Sequence, residues 1–114
     1  MHEVGIMESA LAAVLQRARE QGAHRVHRIV LRSGSLSGVE PEALRFAFDV
    51  VTRGTAAAGA ELAIDAVPAL AHCPDCNVDF AAESGFIFSC PHCNRLCGEL
   101  RQGRELELTR IEMS

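Results

Sequence analysis

The sequence predicts an α+β fold, in which two helices pack on one face of a three-stranded sheet and a lobe built on two C-x-x-C knuckles is inserted. Two segments carry apolar residues at helical spacing, and three carry them at strand spacing. A cysteine-rich segment without either period lies before the last strand. The predicted domains are therefore residues 1–70 with 104–114, and residues 71–103.

The two helices are predicted from apolar stripes and from the residues at their ends. The first covers residues 4–21, and Gly22 follows as its stop. Its stripe consists of Met7, Leu11, Val14, Leu15 and Ala18. The second covers residues 41–53, where Pro41 suits the first turn and Glu42 suits the positive end of the helix dipole.

The three sheet strands are predicted over residues 26–33, 61–67 and 105–113. The first alternates apolar and polar residues, as a half-buried strand does. Pro68 ends the second, because proline cannot donate a backbone hydrogen bond to a neighbouring strand. The third follows the cysteine-rich segment, so that segment is an insertion between two strands of one sheet.

Composition argues against several classes of function. The chain has 114 residues and a net charge of -4, which does not suit a protein that follows a phosphate backbone. All 11 basic residues are arginine, so Schiff-base chemistry and a phosphate-loop lysine are both excluded. No apolar run approaches the ~20 residues of a membrane helix, and no signal peptide is recognisable. We therefore expect a cytoplasmic protein that binds neither nucleic acid nor membrane.

Four cysteines form the strongest pattern in the sequence. Cys73-Pro-Asp-Cys76 is followed, after 13 residues, by Cys90-Pro-His-Cys93. Two such knuckles facing each other give the tetrahedral four-sulfur site that zinc favours, so the lobe is predicted to be zinc-ribbon-like. Four protein ligands leave no open position for substrate, which indicates a structural zinc. The aromatic residues predicted to pack beneath the metal are Phe80, Phe86 and Phe88.

Other uses of these cysteines stay open at this point. A redox pair, a disulfide or an iron–sulfur cluster would also use C-x-x-C motifs, although one redox pair needs no second knuckle. Cys97 is a fifth cysteine, which could be a spare thiol, a buried small side chain or an alternate ligand. His72 and His92 flank the knuckles and are more often surface groups than ligands.

The start of the chain, Met1-His2-Glu3, offers a second metal chemistry. The Met1 amine, the His2 amide and imidazole, and the Glu3 amide can form a planar set of four nitrogens. Tetragonal nitrogen ligation suits Ni(II) or Cu(II) rather than zinc. Binding displaces protons from these groups, so the affinity should rise with pH. A His near the start of a chain is by itself weak evidence, because most such residues are simply solvated.

Taken together, these motifs resemble the HypA/HybF family of hydrogenase nickel-incorporation proteins. The resemblance rests on Met1-His2-Glu3, on residues 36–48 (LSGVEPEALRFAF) and on residues 59–62 (GAEL). The two knuckles and residues 103–106 (GREL) also match, so the resemblance spans essentially the whole chain.

The resemblance implies a nickel metallochaperone without catalytic turnover. His2 would be the essential nickel ligand, with Met1 and Glu3 contributing backbone nitrogens, and the nickel-binding domain would be residues 1–70 with 104–114. The four knuckle cysteines would hold a structural zinc in residues 71–103. The implied partners are a nickel-binding maturation GTPase and the hydrogenase large subunit, and in some bacteria urease maturation proteins. The oligomeric state, monomer or homodimer, is not implied.

Two other classes of function are weighed against this one. A zinc-ribbon module that binds protein or nucleic acid would need only the knuckles, but it would not need a defined start of the chain. An enzyme is disfavoured, because the sequence contains no H-E-x-x-H, no G-x-S-x-G and no phosphate loop.

Overall fold

The structure, a computed structural model, describes residues 2–82 and 87–114. The helices are α1 (His2–Glu20) and α2 (Pro41–Val51). The strands are β1 (Val26–Gly34), β2 (Glu61–Val67), β3 (Leu70–Cys73), β4 (Val78–Ala81), β5 (Phe88–Ser89), β6 (Leu96–Cys97), β7 (Glu99–Gln102) and β8 (Leu106–Met113). No helix among the described residues is long and apolar enough to cross a membrane.

The chain divides into two compact units. The helical unit comprises residues 1–32, 39–65 and 107–114, and the cysteine unit comprises residues 33–38 and 66–106. The predicted fold class is confirmed, because the two helices accompany a three-stranded sheet of order β2-β1-β8 and the cysteines lie in a separate lobe.

The core of the helical unit is mostly aliphatic, with Phe48 as the aromatic member of its buried cluster. Both helices turn their apolar stripes toward it, and β1 contributes alternate residues. Its buried members are Met7, Leu11, Val14, Ala18, Val26, Ile29, Leu31, Leu44, Ala47, Phe48, Ala57 and Leu62. Burying such side chains contributes about 1.5–3 kcal/mol for each large aliphatic residue.

Strands β1 and β2 run parallel, joined through α2. Arg28 forms an ion pair with Glu61 at 3.6 Å, and Arg32 forms one with Asp65 at 4.0 Å. The two pairs advance along both strands in the same direction, which is the relation that a helical crossover requires.

The cysteine unit contains a second sheet and a short hairpin. The sheet has the order β4-β3-β7 and is antiparallel, with Ala71 opposite Phe80 on one side and Leu100 on the other. The hairpin pairs β5 with β6, so that Phe88 lies opposite Cys97. Its buried cluster consists of Ala69, Ala71, Cys73, Phe80, Ala82, Phe88, Cys90 and Cys97.

The first helix begins earlier than predicted, at His2 instead of residue 4. Glu3 accounts for this start, since a carboxylate in the first turn is favourable at the positive end of the helix dipole. The second helix ends at Val51, two residues before the predicted end at 53. Thr52 caps it there, because both its amide and its hydroxyl donate to the Phe48 carbonyl, at 3.1 and 2.7 Å.

Candidate metal centre

The two knuckles share one local backbone design. Each reads C-P-x-C-N, and the asparagines that follow the second cysteines, Asn77 and Asn94, have φ values of 53° and 60°. Asparagine is one of the few residues with a side chain that adopts this left-handed conformation readily. The repeated Asn was a signal in the sequence that pattern analysis of the cysteines alone missed.

The left-handed residue folds the chain back on itself beside the sulfur atoms. In the second knuckle, the Asn94 amide donates to the Cys90 carbonyl at 2.9 Å, and the His92 amide lies 3.4 Å from the Cys90 sulfur. The Cys90 amide in turn donates to the Arg95 carbonyl at 2.9 Å. Amide groups held in this way stabilise thiolate charge, which is the form of cysteine that binds a metal.

All four predicted cysteines come together. The Sγ atoms of Cys73, Cys76, Cys90 and Cys93 lie within 4.8 Å of one another. Cys73 and Cys93 are 3.6 Å apart, and Cys76 and Cys90 are 4.0 Å apart. Four sulfurs bonded to one central zinc at about 2.3 Å would be spaced by about 3.8 Å, so the donor set and its spacing fit a structural zinc site.

The distances between the sulfurs also bear on the two alternatives, a disulfide and an iron–sulfur cluster. All five cysteines are free thiols in the structure, and 3.6 Å is far longer than the about 2.05 Å of a disulfide bond. A cluster of several iron atoms would hold its four cysteine sulfurs further apart than a single ion does. The geometry therefore favours one tetrahedral ion.

The thiols of the site differ in pKa. The Cys76 amide donates to Cys73 and lowers the pKa of that thiol to about 6, against the opposing effect of burial. Hydrogen bonding to Cys93 and burial raise the pKa of Cys76 to about 12. The Cys73 thiol is therefore largely ionised near neutral pH, which is the form of cysteine that binds a cation.

The flanking residues are placed outside the four-sulfur group. His72 is buried, and its Nδ1 lies 2.8 Å from the Asp79 carboxylate. The side chain of His92 is exposed. Cys97 is buried with its thiol 3.4 Å from the Arg95 carbonyl, and burial raises the pKa of that thiol.

Two of the three phenylalanines predicted to pack beneath the metal lie among the described residues. Phe80 and Phe88 are both buried in the cluster that includes Cys73 and Cys90. Phe86 lies outside the described residues. The two placed rings therefore pack in the same buried cluster as two of the four sulfurs.

The second predicted site lies at the start of α1. Met1 lies outside the described residues. The His2 side chain is 61% exposed, and its Nε2 lies 3.4 Å from the Glu3 carboxylate. That carboxylate accepts the Glu40 amide at 3.4 Å and also its own backbone amide, and these two bonds lower the pKa of Glu3.

A metal chelate that includes the His2 side chain would use Nδ1, the ring nitrogen other than the one beside Glu3. A ring closed between the His2 amide and its own imidazole must use Nδ1, because Nε2 is too far along the side chain. A carboxylate at the second ring nitrogen orients a metal-binding histidine. The contact between Glu3 and residue 40 was not predicted, since nothing in the sequence marks the approach of residues so far apart.

Comparison with known proteins decides the family. A profile described as "Hydrogenase/urease nickel incorporation, metallochaperone, hypA" matches residues 1–113. The chain belongs to the HypA family. The "Hydrogenase maturation factor HypA" of Chloroflexus aurantiacus is 43% identical over 112 residues, covering 98% of both chains. The protein of the same name from Acidithiobacillus ferrooxidans is 41% identical over 113 residues, covering 99% of both.

Solved structures of HypA proteins share the fold. The solution structure of the Ni metallochaperone HypA from Helicobacter pylori is similar with a TM-score of 0.65 at 23% identity, covering 97% of this chain and 96% of that one. A second structure, titled "Solution structure of HypA protein", has a TM-score of 0.66 at 25% identity, covering 100% and 97%. The resemblance to this family seen in the sequence is confirmed.

Proposed function

We propose that this HypA-family chain is a nickel carrier that binds Ni(II) through Met1, His2 and Glu3 and releases it during maturation of [NiFe] hydrogenase. Zinc on Cys73, Cys76, Cys90 and Cys93 keeps the cysteine unit folded. The observation that carries the proposal is the family match over residues 1–113, which includes both metal-binding motifs.

The helical unit is assigned the nickel site, and the cysteine unit the zinc site. Nickel is the cargo, so its site must both load and release. A chelate built from backbone nitrogens and one 61% exposed side chain suits that task, since solvent and an acceptor protein can reach it. The four-cysteine group leaves no ligand position vacant, which suits a metal that stays bound.

Glu3 supports the nickel site with its side chain as well as its backbone. Its carboxylate lies beside His2 Nε2 and is itself held by the Glu40 amide at the start of α2. Ionised Glu3 favours the tautomer that carries a proton on Nε2 and a lone pair on Nδ1. The amide of Glu3 bonds to the same carboxylate, so completing a four-nitrogen set requires that bond to open.

The partners of this carrier are proposed on the same basis. The chain would receive or share nickel with a nickel-binding maturation GTPase and deliver it to the hydrogenase large subunit, in the cytoplasm and without catalytic turnover. The family description covers both hydrogenase and urease, so urease maturation proteins are also candidate acceptors.

The test is a calorimetric nickel titration of zinc-loaded protein that carries a native, untagged start. His2→Ala should abolish binding of one nickel, whereas His24→Ala, which removes an exposed histidine outside the site, should leave it intact. N-acetylated protein should also lose binding, because acetylation removes the amine of Met1.

Two outcomes would contradict the proposal. Equal nickel binding by the native protein and His2→Ala would place the metal elsewhere. A failure of the native protein to bind nickel while it retains zinc would leave the cysteine unit as an interaction module without a nickel function.

A further inference from the structure

The outer edge of β8 is an unpaired strand edge in the described part of the helical unit. In the sheet order β2-β1-β8, β8 is the last strand and pairs only with β1. At the end of that pairing, Arg25 and Ser114 exchange both backbone hydrogen bonds, at 3.0 and 2.9 Å. The strand spans eight residues, Leu106–Met113, without proline or glycine. Such an edge presents a row of amides and carbonyls that can pair with another chain.

A groove of about 490 Å³ runs along β8 beside the end of α1. Its lining combines two guanidinium groups, an amide and a hydroxyl with three aliphatic side chains. The lining residues are Arg17, Gln21, Leu108, Thr109, Arg110, Ile111 and Met113. Among the described residues no carboxylate lines the groove, although the chain as a whole has a net charge of -4.

The two arginines of the groove are held only by ion pairs that are exposed to solvent. Arg17 lies 3.9 Å from Glu20, and both side chains are largely exposed, so this ion pair is weak. Arg110 lies 3.1 Å from Glu112, which also binds Arg28 at 3.2 Å, and Arg28 in turn lies 3.6 Å from Glu61. The Arg110 side chain is 67% exposed, so water screens this pair as well, and the guanidinium groups of Arg17 and Arg110 can exchange these partners for an incoming carboxylate.

A second copy of this chain is a poor occupant of the edge. Two copies could pair antiparallel through β8 with their helices on the same face of the joined sheet. In the two registers centred on the middle of the strand, Arg110 would then lie directly opposite, or diagonal to, Arg110 of the other copy. Like charges at such positions are destabilising. Two copies with a net charge of -4 each would also repel each other at long range.

We propose that β8 and its groove form a docking site for an extended acidic segment of a partner protein, which adds to the sheet as a fourth strand. The segment's backbone would pair with the outer edge of β8. Its acidic side chains would meet Arg17 and Arg110, and its apolar side chains would contact Leu108, Ile111 and Met113. The site is independent of either metal, so its test is separate from that of the proposed function.

The probe is a blocked octapeptide of alternating valine and glutamate, added to the full zinc-loaded chain labelled with ¹⁵N. Amide shifts should be concentrated in Leu106–Met113 and at the end of α1, and the affinity should fall with salt. The matched peptide of alternating valine and lysine should cause no such shifts. Two further peptides carry N-methyl groups on one or the other set of alternate backbone amides. Only one set of amides faces β8, so methylation of that set alone should prevent binding if the peptide pairs as a strand.

Arg17→Glu with Arg110→Glu should weaken binding of the acidic peptide by about tenfold or more. The matched control is Arg53→Glu, which reverses an exposed arginine that does not line the groove. Native-like spectra of each variant would show that the fold is kept.

The proposal is overturned if the acidic peptide produces no localised shifts at millimolar concentration, or if the double variant binds as tightly as the control. Equal binding of both methylated peptides would also overturn it, because the backbone of β8 would then not be used. Equivalent shifts from citrate alone would assign the groove to a small anion instead of a strand.

Discussion

Asn94 shows how one residue determines the geometry of a metal ligand. Its φ of 60° reverses the chain directly after Cys93, and its amide closes a bond to the Cys90 carbonyl at 2.9 Å. A β-branched side chain is strongly disfavoured in this conformation, whereas glycine adopts it freely. The backbone requirement, rather than the asparagine side chain, is therefore expected to dominate at this position.

We predict that Asn94→Val lowers the free energy of unfolding by about 1–2 kcal/mol, whereas Asn94→Gly changes it by less than about 0.5 kcal/mol. Denaturant unfolding of the zinc-loaded variants measures the difference. The Val variant should also lose zinc faster to a competing chelator. Equal behaviour of the two variants would show that the positive φ carries no cost here.

Glu3 is a second residue whose surroundings lead to a testable prediction, in this case about its pKa. Its own amide and the Glu40 amide hold its pKa below the ordinary value of 4.5. Because the folded-state pKa is the lower one, the ionised carboxylate stabilises the fold above the unfolded-state pKa. That contribution is lost as the pH falls through the folded-state pKa.

We therefore predict that Glu3→Gln reduces the loss of stability between pH 6 and pH 3 relative to the native chain. Thermal unfolding across that range measures it, with Glu8→Gln, an exposed residue of the same helix, as the control. An NMR titration of the Glu3 side chain should give a pKa below 4.5 directly. A measured pKa at or above that value would contradict the hydrogen bonding described for this carboxylate.

At the scale of the elements, the last residue of β1 approaches the start of the final strand very closely. A Cβ atom built on Gly34 would overlap the Gly103 carbonyl group, and one built on Gly103 would lie 2.6 Å from the Ala69 Cα. The atoms in the way are backbone atoms, which cannot move aside as a flexible side chain could. Gly103 also has a φ of 127°, which disfavours any side chain.

We predict that Gly34→Ala and Gly103→Ala each destabilise the protein by about 2 kcal/mol or more. Gly5→Ala is the matched control with the opposite sign. It lies in α1 with no atom within 4 Å of its added Cβ, so it should stabilise by about 0.5–1 kcal/mol. Chemical denaturation of the three variants measures these signs, and a neutral Gly34→Ala would contradict the close approach.

Elements with a long apolar period could be predicted from the sequence, and the others could not. α1 and α2 have stripes that repeat over several turns, so their positions followed from the pattern. β5 and β6 have two residues each, which is too short for any period, and their pairing is defined by backbone bonds between Phe88 and Cys97. Close approaches such as that of Gly34 and Gly103 depend on tertiary packing, which local sequence does not encode.

In the candidate sites too, local features could be predicted from the sequence and tertiary contacts could not. The four sulfurs could be predicted to meet because spacing within each knuckle constrains them locally. The pairing of buried His72 with Asp79 depended instead on the register of β3 against β4, which the sequence pattern did not supply. The cysteine spacing thus predicted that the four sulfurs meet, and tertiary structure was needed to place the residues around them.

At the scale of the whole molecule, the two units have different sources of stability. The helical unit has a core drawn from both helices and its sheet. The buried cluster described for the cysteine unit has eight members, and three of them are cysteines. So small a core provides little stability without a cross-link, and a bound metal on Cys73, Cys76, Cys90 and Cys93 would supply one of about 10 kcal/mol or more.

We predict that Cys73→Ala, or removal of zinc by a chelator, unfolds the cysteine unit and leaves α1 and α2 helical. The expected result is loss of dispersed amide signals from residues 66–106, while far-ultraviolet circular dichroism keeps most of its helical signal. Cys97→Ala is the control, since it removes a buried thiol that is not one of the four clustered sulfurs. Loss of helical signal together with the cysteine unit would show that the two units unfold as one, because the helical core would then depend on the metal.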